Sequence, residues 1–336
     1  MIDIEPPSTI PNSALFRLGL TRTLTRACLA VLLASGVSAY AQTFPTKDWQ
    51  LTWSDEFNAL NGSAPNPAKW NIVTGGRGFG NNELEIYTSR PANVHQQEGN
   101  LVITAQKEDF TGRDGVLRHY TSARVNTHGL FAQKYGRFEA RIKLPAGKGI
   151  WPAFWLLGDS HETNNWPNCG EIDILETIGA PDIMYSTIHG PGYSGHKGPS
   201  TKYVLPPGEA VNDAFHIYAI EWSPKDLKFF FDGRLIVERT PADLPPGTKW
   251  VYDHPFYILF NLAIGGNWPG NPDVSTTFPQ QMLVDYVRVY SRNPEAATKP
   301  GAPYIDSDVW ASSEGRPLSS PSQRPQSMAT TKQAQP

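Results

Sequence analysis

Short runs of apolar and polar residues, divided by clusters of glycine, proline, asparagine and aspartate, fill the chain from about residue 46 to residue 292. Several runs alternate with the period of two that half-buried strands have, and no long stretch has the 3.6-residue period of a helix. The clearest runs are residues 51–57, 100–106, 136–144, 171–176, 183–190, 215–222, 227–236, 256–266 and 282–290. Many strands at this spacing predict an all-β sandwich or jelly roll, formed by one domain over residues 46–292.

The two ends of the chain have a different character. Arg17, Arg22 and Arg26 precede an apolar run that is too short to span a bilayer and ends in the A-x-A pattern of residues 39–41. This pattern predicts a signal peptide over residues 1–41, so we expect a secreted, soluble mature protein. The alternative is a cytoplasmic protein with an apolar N-terminal helix.

The segment 293–336 is dominated by serine, proline, glutamine, alanine and threonine. So few large apolar residues cannot form a core, and we expect a disordered polar tail. One folded domain therefore lies between two expendable ends.

Composition narrows the range of partners. The formal net charge of the 336 residues is -3, so no basic field predicts a nucleic acid or an anionic membrane as partner. Aromatic residues make up 11% of the chain, with 10 tryptophans and 13 tyrosines. Such flat rings either stack on sugars or fill the core of a β-sandwich.

The two cysteines predict no disulfide in the mature chain. Cys28 lies in the predicted signal peptide, which leaves Cys169 alone. No histidine or asparagine pattern around Cys169 indicates a nucleophile, and we expect a small buried side chain.

Three acids, Glu171, Asp173 and Glu176, lie among β-prone apolar residues in the segment 166–179. In a regular strand Glu171 and Asp173 share a face, whereas Glu176 points to the other. A one-residue bulge between Asp173 and Glu176 would return all three to one face. The outer backbones would then lie roughly 6–7 Å apart at ~3.3 Å per residue. This fits the ~5–5.5 Å carboxyl separation of a retaining glycosidase better than the ~6.5–9.5 Å of an inverting one.

Two other interpretations of the acids are a solvated strand face and a metal site. Apolar residues flank the acids on both sides, which is not typical of a solvated face. No HExxH, CxxC or DxDxDG pattern indicates catalytic zinc or an EF-hand calcium loop, and we expect catalysis without a cofactor.

Other residues could contribute to a sugar site. Trp151 and Trp155 are four apart in a predicted strand and so share a face, where they serve either the core or a ligand. Trp166 lies in a polar loop, which favours a binding role. Arg124 and the pair Asn81 and Asn82 could donate hydrogen bonds to sugar hydroxyls or simply be solvated. His189 is either a structural strand residue or a support for one of the acids.

Two glycine-rich connections, residues 75–87 and 190–200, are predicted to rim the site. The first has no GxxxxGK[ST] pattern and no following helix, which excludes a phosphate-binding loop.

The segments WSDEFN, GNNELEIYT, GRFEARIKLPAGKGIWPAFWLLG, GEIDILE, STIHGPGYSG, FHIYAIEWSP, LAIGGNWPG and VDYVRVY occur in the same order as in a known family. Together they cover nearly the whole predicted domain. On these segments the chain resembles glycoside hydrolase family 16, and specifically its laminarinase-like, bulge-bearing branch.

The resemblance implies a jelly-roll β-sandwich of two antiparallel sheets with a concave sugar-binding cleft, and retaining endo-hydrolysis of a β-1,3-glucan. Glu171 would be the nucleophile and Glu176 the acid/base, with Asp173 between them and His189 near the acid/base. The cleft would be lined by residues matching family positions, namely Trp151, Trp155, Trp166, Arg124, Asn81 and Asn82. We expect a monomer whose partner is a β-glucan polysaccharide.

The resemblance also implies a structural calcium ion on the convex side, with Glu56, Gly99 and Asp285 at the matching positions. Alternative substrates within the fold are mixed-linkage β-1,3-1,4-glucan and a galactan such as agarose. The family's strict mixed-linkage enzymes have a plain ExDxE strand, unlike this chain. A non-catalytic β-glucan recognition protein is the alternative outside enzymes, but such proteins have lost catalytic acids.

Overall fold

The computed structural model describes residues 48–292, which form a sandwich of two β-sheets. The predicted signal peptide and polar tail lie outside the described residues. No helix within residues 48–292 has the length and apolar character needed to cross a membrane.

The first sheet has ten strands. Its main path runs β15-β14-β13-β8-β17-β5-β6-β3, while β1 pairs with β17 and β4 pairs with β5. These strands are β1 (Trp49–Asp55), β3 (Ile86–Tyr87), β4 (Val94–Gln97), β5 (Asn100–Thr111), β6 (Leu117–Ser122), β8 (Gly136–Lys143), β13 (His216–Trp222), β14 (Leu227–Phe231), β15 (Arg234–Arg239) and β17 (Gln280–Arg292).

The second sheet has seven strands in the order β12-β11-β10-β9-β16-β7-β2. They are β2 (Asn71–Val73), β7 (Arg124–Asn126), β9 (Ile150–Gly158), β10 (Glu171–Glu176), β11 (Ile183–His189), β12 (Ser200–Val204) and β16 (Phe256–Ile264). Three single-turn 3-10 helices lie in the loops, at Gly78–Gly80, Gly195–Lys197 and Pro241–Asp243.

One large hydrophobic core fills the space between the sheets. Strand β16 lies in the middle of the seven-stranded sheet, and all nine of its residues are buried. Its side chains alternate between the two faces, and Phe260 on the inner face stacks on Phe154 of β9 at a ring separation of 4.8 Å. Burial on both faces explains why its sequence, FYILFNLAI, is nearly continuous in apolar residues.

A small second cluster lies on the outer face of the seven-stranded sheet. It consists of Leu157, Cys169, Tyr257 and Leu259, with Trp155 and Ala132 packed against it. Cys169 has no exposed surface, so the prediction of a small buried side chain is confirmed. This outer face is therefore partly apolar and stabilised by packing of its own.

The predicted all-β class and two-sheet arrangement are confirmed, with one departure from antiparallel pairing. Strand β3 pairs with β6 in parallel over two residues. Strands β2, β3 and β7 are only two or three residues long and were not predicted. An alternation of apolar and polar residues cannot be recognised over so few positions.

Candidate active site

Strand β10 contains the bulge that the spacing of its acids predicted. Along β9, Asp173 pairs with Trp155 and Leu175 pairs with the next residue, Phe154, so β10 carries one extra residue. Along β11 the register likewise shifts between Asp173 and Glu176. Bulges re-aim the side chains that follow them, and this one moves Glu176 to the face of the other two acids.

The pairing register places the three acids on one face. Glu171, Asp173 and Glu176 are opposite Leu157, Trp155 and Ala153 of β9. Those three β9 residues are two apart and so share a face, the outer face that also carries Trp155. The two residues of the bulge, Ile174 and Leu175, are buried in the core. We call Glu171, Asp173 and Glu176 the acid triad.

Glu171 accepts a hydrogen bond from the loop that precedes it. The Trp166 indole Nε1 donates to Glu171 Oε2 over 2.7 Å. The loop is held close to β9, since the Gly158 amide donates to the Gly170 carbonyl and a Cβ on Gly158 would lie 1.9 Å from the Cys169 carbonyl oxygen. A donor aimed at a carboxylate stabilises its charged form.

Asp173 is the most buried member of the acid triad, at 3% exposure. Burial, and then the charge and hydrogen bond of Glu171, raise the pKa of Asp173 well above its usual value. These causes favour the protonated form of Asp173, and in that form it can donate a hydrogen bond to Glu171.

His189 lies beside Glu171 and Asp173 and is opposite Glu171 in the register of β11. Its Nε2 is 3.1 Å from Asp173 Oδ2 and 3.9 Å from Glu171 Oε1. A Cβ on Gly198 would lie 2.5 Å from the His189 Nδ1, so the glycine gives the ring its space. The resemblance placed this histidine near the acid/base, whereas the pairing brings its nitrogen to the other two acids.

Glu176 lies at the other end of the acid triad and is half-buried. Its Oε1 accepts a hydrogen bond of 2.9 Å from the Trp151 indole Nε1. Burial first, and then the charge of Asp173, raise the pKa of Glu176 well above its usual value, while the Trp151 N–H opposes this rise. Its surroundings therefore favour the protonated form of Glu176.

The acid triad combines Glu171, which accepts a hydrogen bond from an indole N–H, and Glu176, whose pKa is raised. Retaining hydrolysis of a glycoside requires one ionised and one protonated carboxyl group, and this arrangement suits both requirements. Glu171, Asp173 and His189 also bring potential metal-ligand atoms within 4.8 Å of one another, so their positions alone would allow a cation. The raised pKa of Asp173 disfavours coordination, since a metal ligand must lose its proton.

Trp155 and Arg124 form a second part of the outer face. The Arg124 guanidinium lies 4.8 Å from the Trp155 ring and 5.2 Å from the Phe79 ring. Trp155 Nε1 donates to Asn261 Oδ1 over 2.7 Å, and Asn261 Nδ2 in turn contacts the Tyr87 hydroxyl. Trp155 and Trp151 share a face as predicted, because they pair with Leu259 and Ala263, two positions at even spacing on β16.

Asn81 and Asn82 use their amides within the protein. Asn81 Nδ2 donates to Glu83 Oε1, and Asn82 Nδ2 donates to Asn267 Oδ1. The loop of residues 75–87 is thereby attached to the loop that follows β16. Their predicted role as donors to sugar hydroxyls stays a prediction, and the contacts favour a role in shaping the loop.

Trp268 is a candidate that sequence reasoning missed. It follows β16 in the GGNWPG segment, and the residue is 40% exposed. It packs edge-on against Trp151 at 5.6 Å and against Tyr185 at 4.9 Å, on the Glu176 side of the acid triad. A tryptophan in a glycine-rich turn is the sequence feature that could have indicated this binding residue.

The two acids among the proposed calcium ligands form hydrogen bonds with arginines. Both Glu56 oxygens accept hydrogen bonds from Arg288, over 2.9 and 2.8 Å, and Asp285 Oδ2 accepts one from Arg141 over 2.6 Å. Gly99 lies in the turn between β4 and β5, with a φ of 74°. Carboxylates already neutralised by guanidinium groups do not fit a calcium site that uses them as ligands, and the calcium ion stays an untested prediction.

Comparison with known proteins identifies relatives of the whole described domain. The model of the family described as glycosyl hydrolases family 16 matches residues 81–288. A β-glucanase from Rhodothermus marinus is 39% identical over 271 residues, which cover 78% of this chain and 92% of the relative.

Solved structures agree with this result. The endo-β-1,3-glucanase of Pyrococcus furiosus is 45% identical with a TM-score of 0.70, over 74% of this chain and 97% of that one. The laminarinase catalytic domain of Thermotoga maritima is also 45% identical, with a TM-score of 0.68, over 72% of this chain and 98% of that one.

Proposed function

Because the chain belongs to glycosyl hydrolases family 16, we propose that it hydrolyses internal β-1,3 bonds of a laminarin-type β-glucan with retention of anomeric configuration. The observation that carries the proposal is the bulge of β10, which brings the three acids to one face. The bulge also argues against a strict mixed-linkage enzyme, whose strand has no extra residue. The presence of all three acids argues against a non-catalytic recognition protein.

Glu171 is the nucleophile in this mechanism. Its carboxylate attacks the anomeric carbon, a new carbon–oxygen bond forms, and the glycosidic bond breaks. The Trp166 indole holds the carboxylate in position, and Asp173, whose pKa is raised, and His189 lie beside it.

Glu176 is the general acid and then the general base. In the first step its proton passes to the leaving glycosidic oxygen. In the second step the carboxylate takes a proton from water, which attacks the glycosyl-enzyme and releases Glu171. The Trp151 N–H stabilises the charged form that Glu176 adopts between the two steps.

The aromatic residues of the outer face are proposed to bind the sugar chain. Trp151 and Trp268 lie together on the Glu176 side, and Trp155 with Arg124 lies on the β16 and β7 side. Their positions on both sides of the acid triad suit a polymer that extends past the cleavage point, as an endo-acting enzyme requires. We also propose that the mature chain is secreted, on the pattern of residues 17–41, and that it acts as a monomer.

A pair of variants tests the two carboxylate roles. Glu176→Gln should lower kcat on laminarin by about 10²–10⁴-fold, yet keep rapid glycosylation by an aryl β-glucoside whose leaving group needs no proton. Glu171→Gln should lose turnover on both substrates, and both variants should keep the wild-type circular dichroism spectrum.

The assignment fails if Glu176→Gln is equally impaired on both substrates, or if either variant keeps near-wild-type activity on laminarin. Reducing-sugar release from laminarin, lichenan and agarose decides the linkage. Proton NMR of the first product decides between retention and inversion.

A further inference from the structure

A cluster of metal-ligating side chains lies on the outer face away from the acid triad. It consists of His128, His161 and Glu162, whose ligand atoms all lie within 4.8 Å of one another. His128 follows β7, while His161 and Glu162 belong to the loop between β9 and β10. We call these three residues the histidine cluster. It joins two segments that are 33 positions apart and are not paired in the sheet.

Packing against β16 holds the two histidine rings in place. The rings meet edge-on, with centroids 4.5 Å apart and an interplanar angle of 74°. The ring of Tyr257, which is 3% exposed, lies 4.8 Å from His128 and 5.4 Å from His161. The cluster therefore has a rigid apolar base, although its third member, Glu162, is exposed.

One nitrogen of the cluster lacks a partner. His161 Nδ1 is buried and makes no hydrogen bond to any residue of the segment 48–292. A buried polar atom without a partner is costly, and such atoms often mark a missing water or ion.

The donor set selects the kind of ion. Two imidazoles and a carboxylate suit zinc and its neighbours among the divalent transition metals, whereas calcium and magnesium prefer oxygen ligands. Ligand atoms on a tetrahedral zinc ion lie about 3.3 Å apart at bond lengths of about 2.0–2.1 Å. Reaching this distance from 4.8 Å requires shifts of about 1 Å, which the exposed Glu162 side chain can supply. Asp159, whose Oδ1 is 3.9 Å from His128 Nε2, adds negative charge nearby.

We propose that the histidine cluster binds one divalent transition-metal ion of the zinc class, with water completing the coordination. The ion ties the first turn of the β9–β10 loop to the segment after β7. The same loop carries Trp166, the donor to Glu171, toward its other end. The site is thus a cross-link at the rim of the cleft, separate from the reacting carboxylates.

Titration of zinc chloride into the chelator-treated full chain tests the proposal. Calorimetry should give one site per chain, and saturating zinc should raise Tm by about 2–4 °C or more. Loss of a residue that only supports a metal ligand lowers metal affinity by ~10–100-fold. Because His161→Gln and His128→Gln each remove a ligand itself, each should weaken zinc binding by at least this much and abolish the rise in Tm. Their Tm without metal should stay near the wild-type value.

His196→Gln is the matched control. His196 is exposed in the 190–200 loop, outside the histidine cluster, and its removal should leave zinc binding unchanged. Unchanged stoichiometry and affinity in both His161→Gln and His128→Gln would overturn the proposal and indicate an adventitious surface site or binding at the acid triad. Loss of zinc binding in His196→Gln would overturn it as well.

Discussion

The hydrogen bond from Trp151 to Glu176 should set the alkaline limit of activity. Trp151→Phe keeps an aromatic ring but removes the N–H that donates over 2.9 Å to Glu176 Oε1. This bond favours the charged form of Glu176 and so opposes the rise in its pKa caused by burial and by Asp173. Without it, the pKa of Glu176 should rise further.

The size of the shift follows from the strength of the lost bond. A hydrogen bond to a charged group contributes about 1.5–3 kcal/mol. A protonated Glu176 still accepts a weaker hydrogen bond from Trp151. The bond therefore stabilises the charged form over the protonated form by only about half of this free energy. One pKa unit corresponds to about 1.36 kcal/mol, and the expected rise is roughly one unit.

The assay is the pH dependence of kcat/KM on laminarin. Its alkaline limb reports loss of the acid's proton in the free enzyme, so Trp151→Phe should retain activity to a pH about one unit higher than the wild type. The acid limb should stay in place. Because the pKa values of neighbouring carboxyl groups depend on one another, the position of the alkaline limb reports on the acid triad as a whole.

Trp155→Phe is the control for this variant. It removes an indole N–H from the same strand and face, but that N–H donates to the Asn261 amide oxygen and not to a carboxyl. Both variants should raise KM, and only Trp151→Phe should move the alkaline limb. An unmoved or downward-shifted limb in Trp151→Phe, or an equal shift in Trp155→Phe, would refute the reasoning.

Two further predictions concern sugar binding and stability. Trp268→Ala should raise KM for laminarin about 3–10-fold, because it removes a stacking contact of ~0.5–1.5 kcal/mol, and should change kcat less than about 2-fold. The fold should be kept, because Trp268 is 40% exposed. An unchanged KM would place the sugar elsewhere. Arg137→Met should lower the free energy of unfolding by about 3–5 kcal/mol, because it leaves the buried Glu139, now 2.8 Å from Arg137 Nε, without a counter-charge. Adding Glu139→Met should restore most of this stability in urea unfolding, and a double variant as unstable as the single one would contradict the explanation.

The bulge was predictable because two local requirements conflict in a regular strand. The acids Glu171 and Asp173 fix one face, while Ile174 and Leu175 must both remain in the core for Glu176 to emerge on that face. An odd spacing between polar positions in an apolar strand has few other solutions. The sequence therefore predicted this part of the site to the residue.

Contacts between distant segments were not predictable in the same way. Arg288 is 232 positions from Glu56, and Arg141 is 144 positions from Asp285, so nothing local indicated that arginines pair with both acids among the three proposed calcium ligands. The contact between His128 and His161 likewise depends on the order of strands β9, β16 and β7. Strand order is a property of the whole sheet, which alternation within a single run does not reveal.

In the proposed mechanism, one negative charge moves from one end of the acid triad to the other. It lies on Glu171 at the start, where it is one of the causes that raise the pKa of Glu176. When Glu171 becomes esterified to the sugar, that charge disappears just as Glu176 loses its proton to the leaving oxygen. The pKa of Glu176 then falls, since the repulsion from Glu171 is gone and the Trp151 N–H remains. In this mechanism Glu176 is therefore an acid before glycosylation and a base after it, and the bulge that places both ends on one face makes the exchange of charge possible.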